Sequence, residues 1–118
     1  MAPGAAAADA PVVRDGRDDW LLPHLGGRFV ALQFADGTDA RAEPLVVRGV
    51  RVDALIVSGG AKAAPADALV DREGLAFARY DARPGTTYLF RPDQHVCARW
   101  RRYDGDAIGA AVARAIGR

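Results

Sequence analysis

The sequence predicts one α/β domain: a central mixed sheet that closes with an antiparallel β-hairpin and a terminal helix. Three observations predict it. RFVALQF (28–34) is a nearly continuous apolar run, as expected of a strand buried on both faces, and VRVDALIVS (50–58) starts as an alternation and ends as an apolar run, a second inner strand. Thr86–Arg91 and His95–Arg102 flank Arg91-Pro92-Asp93-Gln94, which suits a type I turn because proline presets φ and Asp tolerates the next position. At the C-terminus, Ile108, Val112, Ala115 and Ile116 fall at i, i+4, i+7 and i+8, a stripe aimed at a core, with Asp104 or Asp106 as cap. A chain of 118 residues fits a single domain of this kind.

The remaining elements follow in order. Residues 1–10, rich in Ala and Pro, are expected as a disordered tail or linker, and 11–118 as the single domain. The stretch lacks the basic and strongly apolar regions of a signal peptide. Asp15-Gly16 marks the turn of a small hairpin. Asp18 or Asp19 caps a short helix, Trp20 to Leu25, closed by Gly26 or Gly27. After the first inner strand, ADGTD turns the chain into a short helix from Asp39 to Glu43, before Pro44. Residues 59–68 read as loop, and 69–85 as a turn at Glu73-Gly74 plus a short helical or extended piece. In the last strand, alternation puts Val96, Ala98 and Trp100 on one face and Cys97, Arg99 and Arg101 on the other. Gly109 costs the final helix about 1 kcal/mol relative to Ala, which fits a close approach of helix to sheet.

Composition excludes several functions. Sixteen basic and fifteen acidic residues nearly cancel, so nothing points to nucleic acid or an anionic membrane as partner. No apolar run approaches the roughly 20 residues that span a bilayer. The single Cys97 makes neither an internal disulfide nor a Cys-x-x-Cys pair, and it fits a reducing, cytoplasmic compartment.

No catalytic, cofactor-binding or metal-binding residue is assigned. His95 begins a strand beside a turn, and His24 lies far off in sequence without a partner, whereas metal sites and catalytic bases need further groups. Cys97 beside Arg99 and Arg101 has the cationic surroundings that lower a thiol's pKa, but a lone strand cysteine is more often a small packing residue. Asp18-Asp19 and Asp104-Asp106 are explained by helix capping. Trp20, Arg99, Trp100, Arg101 and Tyr103 are residue types that anchor protein interfaces.

Two inner strands with crossovers, then a hairpin and a helix, form the thioredoxin-like plan. APVVRDGRDDWLLPHLGGRFVALQF resembles the opening of the peroxiredoxin-like branch of that fold. YDARPGTTYLFRPDQHVCARWRRYD resembles the C-terminal thioredoxin-like domain of FAD-dependent aromatic-ring hydroxylases, the family of phenol, hydroxyphenylpropionate and polyketide hydroxylases. In that family a phrase close to yLvRPDghVaaR precedes the last helix, so Arg91, Pro92, Asp93 and His95 stand as a structural family motif. The resemblance covers residues 3–118. It implies an accessory packing or oligomerisation domain, whose parent hydroxylates an aromatic ring with FAD, NAD(P)H and O₂. The implied partners are the flavin-binding catalytic domain, a second copy, or both. This chain has no Gly-x-Gly-x-x-Gly turn, SGG at 58–60 is too short, and FADGTD carries no cysteine where thioredoxins place theirs. No FAD is therefore expected in the chain itself. Two alternatives stand beside this reading. One is an autonomous, redox-inactive thioredoxin-like module that docks a partner through the arginine-rich strand. The other is an enzyme using Cys97.

Overall fold

The computed structural model describes residues 1–37, 40–60 and 64–117. Its strands are β1 (Pro11–Arg14), β2 (Arg17–Trp20), β3 (Phe29–Ala35), β4 (Leu45–Val47), β5 (Val50–Gly59), β6 (Leu69–Asp71), β7 (Thr87–Phe90) and β8 (Val96–Trp100). A 3₁₀ turn covers Leu22–His24, and the helices are α1 (Leu75–Arg79) and α2 (Gly105–Ile116). The strands form one mixed sheet in the order β2-β1-β6-β5-β3-β7-β8, with β4 paired to β5. β3, β5 and β6 run parallel to their neighbours among themselves, and the remaining pairs are antiparallel.

β3 is the centre because it can be buried on both sides: all seven of its residues are buried. Val30, Leu32 and Phe34 join Leu69, Tyr80, Tyr88 and Phe90 on one face, under the N-terminal residues, the 3₁₀ turn and α1. Phe29 and Ala31 join Val52, Leu89, Ile108, Ala111 and Val112 on the other, under α2. The α2 stripe differs from expectation in one residue. Ala111 is buried and Ala115 is exposed, because the helix turns its 108–111–112 face to the sheet. Asp104 is its N-cap, accepting the Ala107 N–H at 3.0 Å.

The hairpin at Asp15-Gly16 forms as read, with positive φ at both residues (51° and 75°), the conformation a two-residue hairpin turn needs. The helix expected at Trp20–Leu25 is only the 3₁₀ turn, and neither Asp18 nor Asp19 caps it, since both lie on β2. Asp9 supplies the acceptor instead: its Oδ1 takes the Ala10 N–H at 2.8 Å and the Leu22 N–H at 2.9 Å. The helix expected from Asp39 to Glu43 is absent over 40–43, while Asp39 lies outside the described residues. The backbone donors there go elsewhere. Gln33, buried in β3, accepts the N–H groups of Arg41 (2.7 Å) and Ala42 (2.8 Å), which ties this loop across the sheet.

The alternation expected in β8 is broken. Phe90 pairs with Val96 but Leu89 with Ala98, so Cys97 is an extra residue, a β-bulge. Val96 therefore packs with Tyr88 and Phe90, whereas Cys97, Ala98 and Trp100 all pack on the α2 side. Arg99 goes to the face opposite Cys97.

Residues 1–10, read from composition as a tail or linker, lie against the domain. Ala10 is fully buried, Tyr80 donates its hydroxyl to the Ala8 carbonyl, and Ala6 bridges to His95. Apolar contact of Met1, Ala7 and Ala8 with the aromatic cluster accompanies these bonds.

Candidate functional site

The turn between β7 and β8 is built from its own side chains. The Gln94 N–H donates to the Arg91 carbonyl (2.9 Å), and the Arg91 N–H donates to the His95 carbonyl (2.9 Å). Gln94 takes the left-handed conformation, φ 64°, that follows a type I turn in a three-residue hairpin loop. Arg91 grips Asp93 with two bonds, Nε to Oδ1 at 3.1 Å and Nη2 to Oδ2 at 2.8 Å. That guanidinium holds the Asp93 carboxyl down to about 2. The His95 N–H also donates to Asp93 Oδ1, at 3.2 Å. Pro92 accepts the Gly27 N–H (2.8 Å), and Gln94 Nε2 donates to the carbonyls of Leu22 (3.0 Å) and Leu25 (2.7 Å). Arg91, Asp93 and His95 thus fix a turn that Gln94 and Pro92 pin to residues 22–27.

The structure separates the interface candidates. Arg99, Trp100 and Arg101 lie on or just beyond β8, at one edge of the sheet, and Trp20 lies on β2, at the other. Arg99 lies 5.2 Å from the centroid of the Tyr88 ring and donates to the Asp81 carbonyl at 2.7 Å. Trp100 is half-buried against the α2-side cluster, and Arg101 is exposed. The Tyr103 hydroxyl donates to the Glu43 carbonyl at 3.2 Å. Trp20 is 53% exposed.

Cys97 is half-buried in the bulge. Burial pushes its thiol up, and the opposing pull of Arg91 and Arg114 is the smaller effect. His24 meets Asp19 through Nε2 at 2.8 Å, a pairing that spacing in the sequence did not suggest, and this bond holds the Asp19 carboxyl below its ordinary range.

Sequence reasoning missed a groove of about 830 Å³ at the carboxyl ends of β3, β5 and β6, lined in part by Val13, Ala35, Gly59, Val70, Phe77 and Pro84. The signal was the pair of glycine-containing turns that follow two parallel strands, ADG and SGG. Asp71, buried beside it, accepts the N–H groups of Ala76 (3.0 Å) and Phe77 (2.9 Å) and so closes the N-terminus of α1. Among the described residues no three His, Cys, Asp or Glu side chains are grouped to hold a metal, and no helix is long and apolar enough to cross a membrane.

Two solved flavoproteins match this architecture. The flavin-dependent monooxygenase PieE, solved with FAD and substrate, matches 95% of the chain at 27% identity and TM-score 0.69, over 19% of its own length. Aklavinone-11 hydroxylase, solved with FAD and aklavinone, matches 98% at 26% identity and TM-score 0.69, over 21% of its own length. The chain resembles the small thioredoxin-like part of FAD-dependent monooxygenases. The chain spans about a fifth of the length of the two flavoproteins it matches. Its thioredoxin-like fold is shared with the exposed lipoprotein thioredoxin Etrx1 of Streptococcus pneumoniae strain TIGR4, at 17% identity and TM-score 0.58, covering 93% of this chain and 98% of that one. No protein-family profile and no curated protein matches the sequence.

The two helix starts among the described residues do not fit the pyrophosphate of FAD. That group needs free backbone N–H donors where a Gly-rich turn enters a helix. The Ala76 and Phe77 amides at the start of α1 are taken by Asp71, and α2 opens with the carboxylates of Asp104 and Asp106, which repel an anion.

Proposed function

We propose that this chain is the accessory domain of an FAD-dependent aromatic hydroxylase, a monooxygenase whose flavin is carried by a separate catalytic domain. One observation carries the reading: almost the whole chain matches only a fifth of two FAD-bound enzymes, a flavin-dependent monooxygenase and a hydroxylase. The accessory domain supplies packing surface to the catalytic domain or to a second copy and carries out no redox step. The misfit of both helix starts to a pyrophosphate supports a flavin-free domain. Without a cofactor the chain has nothing to transfer electrons with. The burial that keeps Cys97 protonated argues against thiol chemistry.

The test is to purify the chain, add FAD, and follow bound-flavin absorbance and NAD(P)H oxidation. Its binding to a hydroxylase flavin domain lacking this part, and its mass in solution, are measured alongside. No flavin, no oxidation and binding to the flavin domain or to itself are expected. Tightly bound FAD with NAD(P)H oxidation contradicts the flavin-free role. A strict monomer that binds no flavin domain favours an autonomous thioredoxin-like binding module.

A further inference from the structure

Among the described residues, the outer edge of β8 is covered only at its start, and by the chain's own N-terminal residues. Gly4 N–H donates to the Val96 carbonyl (2.7 Å), Val96 N–H to the Ala5 carbonyl (2.8 Å), and Ala7 N–H to the Gln94 carbonyl (2.8 Å). The segment runs antiparallel to β8, as the Ala6–His95 bridge shows. It then leaves the edge in a turn at Pro3-Gly4, where Gly4 has φ 89° and Ala5 N–H donates to the Ala2 carbonyl (3.0 Å). Among the described residues no strand pairs with β8 on that side beyond this point. The open length, Cys97 to Trp100, is followed by Arg101 and Arg102, which are exposed and have no ion pair among the described residues. Arg99, Trp100 and Arg101 line a shallow cavity of about 270 Å³ beside it.

We propose that this open length of β8 accepts an acidic, extended segment of a partner protein as an added antiparallel strand. An unpaired edge offers main-chain donors and acceptors to such a segment. Residues 4–7 show that the backbone of this edge accepts an antiparallel strand. Two exposed cations directly after the open length, Arg101 and Arg102, select carboxylates over neutral or basic chains, whereas Arg99 is engaged with Asp81 and the Tyr88 ring. A second copy is disfavoured as occupant, since pairing β8 with itself brings two copies of the same cationic stretch together. The proposal stands apart from the hydroxylase reading.

The probes are three blocked hexapeptides: one alternating glutamate with valine, one with lysine in place of glutamate, and a copy of the first N-methylated at alternate residues. Binding to the full chain is followed by NMR of the amides of residues 97–101. The glutamate peptide is expected to saturate shifts at these amides, with binding at least about tenfold weaker for the lysine peptide and for Arg101→Glu/Arg102→Glu. The N-methylated copy is expected not to bind, having lost alternate donors. Both arginines are exposed, and an unchanged unfolding midpoint checks that the variant is folded. Equal binding of the N-methylated copy means charge attraction without strand addition and overturns the proposal. So does equal binding of the lysine peptide, absence of binding by the glutamate peptide, or a concentration-dependent dimer that shifts the same amides without any peptide.

Discussion

Gln94 fills the space that the missing side chain of Gly26 leaves: a Cβ built on Gly26 would lie 3.0 Å from Gln94 Cγ and 3.1 Å from its Nε2. That same Nε2 donates to the carbonyls of Leu22 and Leu25, so the contact joins the hairpin turn to the 3₁₀ segment. Gly26 also has φ 111°, a region other residues rarely adopt. Gly26→Ala is therefore expected to destabilise by about 1–3 kcal/mol, from backbone strain and displacement of Gln94. Urea unfolding measures it. A variant as stable as the parent would mean that Gln94 moves without loss and that the joint is unimportant.

The parts of this fold that were legible share one property: their pattern is local and long enough to repeat. β3 is apolar over seven residues but for Gln33, β5 alternates and then ends in the apolar run Ala54–Val57, and α2 runs for three turns behind a capping Asp. β4 and β6 have three residues each, too few to show a period of two, and they exist because β5 offers an edge. The face assignment in β8 failed because one bulged residue, Cys97, inverts the alternation, and nothing in the composition of that strand marks it. Of the candidate residues, the Arg91-Pro92-Asp93 turn was readable because the bonds that shape it are local, from Arg91 to Asp93 and His95. The groove at the ends of β3, β5 and β6 was not, because elements distant in sequence build it.

Gly109 gives the opposite expectation from Gly26. It lies inside α2, and an added Cβ would meet only Val47 Cγ2, at 3.9 Å, an ordinary contact. The close approach inferred from sequence thus leaves room for a methyl group. Gly109→Ala is expected to stabilise by about 0.5–1 kcal/mol through helix propensity, read as a raised urea midpoint at unchanged slope. A loss of stability would show that α2 sits closer to β4 than these distances allow.

Cys97 is expected to behave as a packing residue. Its thiol is pushed up by burial, and the bulge turns it toward α2 and away from Arg99. Alkylation of the native chain near neutral pH is expected to be slower than that of a free cysteine, and Cys97→Ala to cost no more than about 1 kcal/mol. Faster alkylation than in the urea-unfolded chain would contradict this and revive a reactive role.

Tyr80 ties the N-terminal residues to the core, and its titration should show it. Its ring is fully buried, with Phe34, Tyr88 and Phe90 at centroid distances of 5.5, 5.3 and 6.1 Å. Its hydroxyl donates to the Ala8 carbonyl, and its own carbonyl receives the Tyr88 hydroxyl. Burial drives the Tyr80 phenol well above its ordinary value, and that of Tyr88 upward too. In the unfolded chain a tyrosine titrates near about 10. The folded state therefore prefers the neutral phenol: its contribution is complete below about pH 10 and is lost as the pH rises from there toward the folded value. Tyr80→Phe removes the donor and leaves the Ala8 carbonyl without it, an expected loss of about 1–2 kcal/mol at neutral pH. It also removes one of the two raised phenols, so its stability should fall less steeply above about pH 10 than that of the parent. Urea unfolding at neutral and alkaline pH, with phenolate absorbance followed in parallel, measures both effects. Parallel pH profiles for parent and variant would show that Tyr80 ionises freely, and that residues 1–10 do not seal it from water.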